Sequence, residues 1–187
     1  MFKNIIPMGL VLSAASTAAM CTDHSTLLRD TSADHSRPLP TQTMENNMKY
    51  MDETVIDECT KGSFAGTLTF PQNLQKLAGI GVKSYVVDLS KTPSTKKIYG
   101  ERGDSYEEVF PPFDAPLVAS TFNEPQVKEA LLAIQHKEID YPEFLRRIMT
   151  AGVSRYEVCF KQHETIYFGQ QQGDSYTEAF PKSFLDK

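Results

Sequence analysis

The chain has no tryptophan, only three cysteines and four histidines, and no apolar run long enough to span a bilayer as a mature helix. Each shortage removes a class of protein. A membrane-spanning helix needs about 18 to 20 consecutive apolar residues. Zinc sites need Cys and His at paired spacings, and none occurs here. Basic residues are also short: the formal charge is -5, and Lys and Arg are scattered along the chain. That pattern lacks the positive stripe by which proteins hold phosphate backbones, so nucleic acid is not an expected partner. What remains is ordinary globular composition, 187 residues with 40% hydrophobic and 23% charged, which favours one domain plus tails.

The first twenty residues have their own layout. Lys3 gives a thin positive start, Ile5, Ile6, Met8, Leu10, Val11 and Leu12 form an apolar stretch, and residues 13–19 are uniformly small. This is the order of a secretory signal peptide, and cleavage after Ala18 or Ala19 fits it. The expected address is therefore the periplasm or cell envelope. Cys21 opens an alternative, because a cysteine just after such a segment can carry a lipid anchor. Met20 stands where Gly, Ala or Ser is usual in that motif. Membrane attachment is expected only through Cys21. Cys59 and Cys159 then form an even pair in an oxidising compartment, read either as a disulfide or as two separate thiols. Residues 21–43 are rich in Ser, Thr, Asp, His and Pro, too polar to build a core, and are expected to be a flexible linker. His24 and His35 in it are read as solvated, with no metal.

From residue 44 to 187 the sequence reads as one α+β domain made of an internal duplication. Phe70-Pro71-Gln72-Asn73-Leu74 and Gly81-Val82-Lys83-Ser84-Tyr85 return as Tyr141-Pro142-Glu143-Phe144-Leu145 and Gly152-Val153-Ser154-Arg155-Tyr156. Gly103-Asp104-Ser105-Tyr106 and Phe110-Pro111 return as Gly173-Asp174-Ser175-Tyr176 and Phe180-Pro181. Several matching blocks in a fixed order are a repeat signature that no single short match provides. Repeat 1 is set at about 44–112 and repeat 2 at about 123–182. Each is expected to be an α-α-β-β-β unit, the two packed as one domain with pseudo-two-fold symmetry.

The local chemistry agrees. Asp140 is a helix cap, Pro142 suits a first turn, and Glu143 is placed to reach back to the cap; Thr69, Pro71 and Gln72 hold the same offsets. Gly81 and Gly152 end the helices, and period-two strands follow from Tyr85 and Tyr156. A further helix is expected over about 124–138, begun by Asn123 and Gln126, with a weaker counterpart over about 44–61. A short strand is expected over 117–120, between the copies.

The run from Gln135 to Phe144, holding Asp140-Tyr141 and Phe144, then Ala151-Gly152-Val153 and Tyr156-Glu157-Val158, resembles the YbcV-like bacterial family. That family is a domain of unknown function often labelled "phage envelope protein". The resemblance covers roughly residues 45–182, with Lys137, Ile139 and Leu145 replacing the Gly, Thr and Cys usual in the motif. It implies an α+β fold and brings no established activity.

No catalytic set emerges. Gly-Asp-Ser at 103–105 and 173–175 resembles an esterase nucleophile block, yet its preceding residues are polar and no histidine follows Ser175. A turn leading into a strand is the reading preferred. His136 and His163 are assigned to a helix end and a hairpin turn. Six tyrosines, Tyr85, Tyr99, Tyr106, Tyr156, Tyr167 and Tyr176, sit on adjacent strands and are the candidate lining of a ligand groove, against a role in core packing. The expected function is a non-catalytic binding or interaction module of the bacterial cell envelope, taking a protein, peptide or small ligand and no cofactor. The alternative is a small hydrolase-like enzyme with a site in a cleft between the repeats.

Overall fold

The computed structural model describes residues 51–185. The leader, Cys21 and the linker with His24 and His35 lie outside the described residues. The elements are α1 (Glu53–Phe64), α2 (Phe70–Gly79), β1 (Val82–Asp88), β2 (Thr95–Gly100), β3 (Ser105–Val109), α3 (Glu124–Gln135), α4 (Tyr141–Thr150), β4 (Arg155–Cys159), β5 (Glu164–Phe168) and β6 (Ser175–Ala179). The strands form one antiparallel sheet in the order β3-β2-β1-β4-β5-β6. The fold is α+β, and the order helix, helix, strand, strand, strand occurs twice along the chain.

Local chemistry explains the element ends. Asp52 caps α1 by accepting from Thr54 N at 2.9 Å. Asn123 caps α3 through Gln126 N at 3.2 Å, and Asp140 caps α4 through Glu143 N at 2.8 Å. Before α2, Gln72 Oε1 accepts from Thr69 N at 2.9 Å, the return half of a capping box. Glu143, expected to do the same in α4, instead turns its carboxylate to Arg146 Nε at 2.8 Å and Arg147 Nε at 3.0 Å. A charged guanidinium is the stronger partner. Gly81 (φ 79°) and Gly152 (φ 89°) carry the chain out of α2 and α4 in the left-handed region.

Two expectations about the chain between these elements are corrected. Residues 117–120 form no strand: Leu117 is exposed, and Ala119 N bonds to Met149 O at the end of α4. Helix α3 also ends at Gln135 and not near 138, because Lys137 takes a positive φ of 59°.

The helices gather on one face of the sheet. Thr60 of α1 reaches Lys96 and Glu108, Tyr141 of α4 reaches Tyr156, and Gln135 of α3 reaches Glu178. Between them lies a single apolar core in which Ile56, Leu74, Leu77, Val87, Ile98, Val127, Leu145, Ile148 and Val158 are fully buried. Strand alternation sends every second side chain to the opposite, outer face. Ser84, Val86 and Asp88 of β1 share that face with Cys159, Glu157 and Arg155 of β4, their register partners.

Candidate functional site

Register decides where the six tyrosines stand. Tyr85, Tyr156, Tyr167, Tyr106 and Tyr176 point to the helix side. Tyr85, Tyr156 and Tyr167 are at most 5% exposed, while Tyr106 and Tyr176 are half-buried on the two edge strands. The rings of Tyr85, Tyr156, Tyr167 and Tyr176 run in contact across β1, β4, β5 and β6, with centroids 5.7 to 6.5 Å apart. Tyr99 differs. It pairs with Ser84 and so lies on the outer face, whereas Ile98 faces Tyr85 just as Tyr167 faces Tyr156. In the register of the sheet, the place that Tyr167 takes beside Tyr156 is taken beside Tyr85 by Ile98 and not by Tyr99. Tyr141, outside the six candidates, joins the row by a 2.5 Å hydroxyl–hydroxyl hydrogen bond to Tyr156. Burial holds the phenols of Tyr85, Tyr141, Tyr156 and Tyr167 far above their ordinary titration range. Tyr176 is pushed up to about 12, first by partial burial and then by the neighbouring Glu178 carboxylate.

A charged knot sits against this row in the first half of the sheet. Lys96 Nζ lies 3.2 Å from Glu108 Oε1 and 3.1 Å from Thr60 Oγ1, and Thr60 Oγ1 donates to the same carboxylate at 2.5 Å. The ammonium also lies 4.9 Å from the centre of the Tyr85 ring. Both charged side chains are under 9% exposed. Burial pulls the Lys96 ammonium below the ordinary lysine range, against the pull of Glu108. Cys59, a free and fully buried thiol on α1, is pushed up by burial, with Lys96 opposing. A nucleophile held as thiol behind a packed core is chemically quiet.

The reachable chemistry lies elsewhere. A groove of about 620 Å³ runs along α3 and α4 beneath the chain that joins the two halves, lined by Asp114, Gln126, Glu129, Glu143, Arg146 and Arg147 among others. Glu143 is clamped by the two arginines through their Nε atoms, which holds its carboxyl below the usual range. Among the described residues neither guanidinium makes a second hydrogen bond, leaving donors for a carboxylate or phosphate. Asp114 and Glu129 offer acceptors in the same groove. A smaller hollow of about 210 Å³ lies between α3 and β6, lined by Lys128, Leu132, Tyr176 and Glu178 among others. Tyr176 is thus the one tyrosine of the six on a groove wall among those described.

The remaining candidates fall into place separately. Ser105 and Ser175 are exposed and open edge strands after left-handed Gly103 and Gly173. His136 closes α3 at 3.7 Å from Glu138, and His163 turns the β4–β5 hairpin against Phe180. Among the described residues no three His, Cys, Asp or Glu side chains gather as a metal site, and no helix is long and apolar enough to cross a membrane. Cys59 and Cys159 do not pair: Cys59 is free on the helix side, whereas Cys159 is in a disulfide and projects from the outer face.

Residues from the middle of β2 to the end of β6 therefore hold both hollows and most of the tyrosine row. Residues 97–179 match the family described as "Protein of unknown function (DUF1398)". The DUF1398 match takes in Arg146, Arg147, Glu143 and Tyr176 and stops one residue short of Lys96. It assigns no activity. No curated protein matches the chain.

Proposed function

We propose that the domain is a non-catalytic binding module of the bacterial cell envelope, and that its binding surface is the groove along α3 and α4. The observation that carries this reading is the pair Arg146 and Arg147, anchored on Glu143 yet with guanidinium donors to spare, in one groove with Asp114 and Glu129. A groove with both signs of charge suits a short peptide that brings an acidic and a basic group. The groups of most perturbed acidity, Lys96 and the enclosed tyrosines, lie in the core away from it, which speaks against the alternative of a hydrolase. Export rests on the leader alone.

The same proposal treats the domain as two copies of one unit. Val86 and Glu157 hold matching places in the two sequence blocks and face one another across β1–β4. On either side Tyr85 faces Val158 and Val87 faces Tyr156, the exchange that an approximate two-fold axis through the middle of the sheet requires. On this view the groove belongs to the second copy, and the buried Lys96–Glu108 pair is a departure of the first.

The test is a peptide array probed with the purified chain, followed by titration of the peptides retained. Arg146→Ala with Arg147→Ala should weaken binding at least tenfold and leave the melting curve near wild type. Turnover of a substrate panel by the wild-type chain, with no peptide bound, reverses the reading.

A further inference from the structure

We infer that the chain pairs with a second copy of itself edge to edge, β6 against β6, so that two sheets become one. β6 ends the sheet, with β5 on its inner side. The bonds from Gly169 N to Asp174 O and from Phe180 N to His163 O fix which way its backbone points. Antiparallel alternation then turns Tyr176 and Glu178 toward β5, and leaves the N–H and C=O of Ser175, Thr177 and Ala179 along the open edge. Such an edge is a template for another strand unless charge, proline, a bulge or a cover blunts it. β6 keeps an unbroken register with β5, and the side chains of Ser175, Thr177 and Ala179 are small, uncharged and exposed. Among the described residues no strand pairs with that edge.

The opposite edge shows what a blunted strand looks like. β3 reads Ser105-Tyr106-Glu107-Glu108-Val109 where β6 reads Ser175-Tyr176-Thr177-Glu178-Ala179. Its middle residue is Glu107, 3.5 Å from Lys91. A two-fold pairing of β3 would set Glu107 against the same carboxylate of the copy, and like charges directly opposite repel. Thr177, in the middle of β6, meets another Thr177, a pair that strands favour. In this register Ser175 faces the partner's Ala179, and on the helix side Tyr176 faces the partner's Glu178. The surroundings there are complementary. Tyr176 and Glu178 line the hollow of about 210 Å³ with Lys128, Leu131 and Leu132 of α3. Lys128 Nζ lies 4.9 Å from the centre of the Tyr176 ring, so the partner's Glu178 arrives beside a cation as well as a phenol. Lys128 already holds Glu124 at 2.6 Å, and an ammonium has donors for both carboxylates. Leu132, 55% exposed on the wall of the hollow, gains apolar cover from the facing α3. The contact uses the same edge of both chains, so it closes as a dimer and leaves no β6 open.

The full chain is run by sedimentation velocity over about a hundredfold range of concentration, across which a mass-action dimer comes apart on dilution. The expected mass at the upper end is twice that of the chain. Thr177→Glu copies the glutamate of the first half at an exposed position, and should give the single-chain mass throughout with an unchanged circular-dichroism spectrum. Thr177→Pro removes an edge N–H but no bond to β5, and should do the same. Leu117→Glu, at an apolar side chain 93% exposed elsewhere, should leave the dimer intact. Hydrogen exchange at the Thr177 and Ala179 amides should slow several-fold as the dimer forms, with Glu107 and Val109 unchanged. A single-chain mass at every concentration overturns the inference, as do species that keep growing, the mark of β6 pairing head-to-tail with β3. A dimer that survives Thr177→Glu, or that leaves those amides unprotected, has its interface elsewhere and overturns it too. The groove at Arg146 and Arg147 draws on Gln126 and Glu129 of α3 and not on Lys128 or Leu132. Peptide binding by the Thr177→Glu chain therefore reads the groove separately from the dimer.

Discussion

Lys96 and Glu108 show how one pair of side chains constrains the first half of the molecule. Two charges withdrawn from water are stable only while each has the other and the remaining bonds are made, here by Thr60 and the face of Tyr85. Removing one partner strands the other. Lys96→Met should lower unfolding free energy by about 3–5 kcal/mol, as should Glu108→Leu. The double variant Lys96→Met with Glu108→Leu should lose far less than the sum, since neither charge is then left alone. Denaturant titrations of the four proteins measure this coupling, and additive losses would mean that the pair is not a unit. Across β5 and β6, Thr165 and Glu178 are register partners as Lys96 and Glu108 are across β2 and β3. Glu178 is half-exposed and bonds to Gln135 at 2.8 Å, so that half has no such buried pair.

At the scale of the element, the turn from helix to strand carries the tightest geometry. Gly152 has φ of 89°, and a Cβ there would meet Thr121 O at 2.3 Å. Backbone cannot move aside as a flexible side chain can. Gly173 has φ of 97° at the β5–β6 turn, but a Cβ there would meet open space. Gly173→Ala should therefore cost only the left-handed penalty of about 1–2 kcal/mol. Gly152→Ala should cost clearly more, because the clash adds to the same penalty and disturbs the bond from Asn123 N to Ala151 O that ties α3 to α4. Thermal melts of the two variants side by side check the order. Equal losses would show that the chain near Thr121 yields.

For the whole molecule, the buried phenols set a limit in alkali. Tyr85, Tyr141, Tyr156 and Tyr167 titrate well above their ordinary value near pH 10 in the folded chain. Groups with raised folded values hold their protons longer in the native state, so their contribution is intact below about pH 10 and falls as pH rises past it. Lys96 has the opposite sign: its folded value is lowered, so it favours folding as pH rises toward the ordinary lysine range near 10.4. Four phenols outweigh one ammonium. The melting temperature should therefore fall steeply above about pH 10, with the four phenolates appearing by ultraviolet absorbance only as the chain unfolds. Phenolates that appear before unfolding would mean that the row is open to water.

What the sequence determined by itself was whatever is written in neighbouring residues. Asp140-x-Pro142 and Thr69-x-Pro71 start helices, Gly81 and Gly152 stop them, and period-two runs follow, because caps, left-handed turns and strand alternation are short-range effects. The α+β class and the repeated order of elements followed from these signals. Tertiary structure decided the rest. The side on which Tyr85, Tyr156 and Tyr167 lie, the placing of Tyr99 beside Ser84, and the burial of Lys96 against Glu108 depend on strand register and on which face the helices cover. The groove at Arg146 and Arg147 likewise exists only once α3, α4 and the joining chain are brought together. Side chains distant along the chain meet through the packing of whole elements, and no local pattern encodes that meeting.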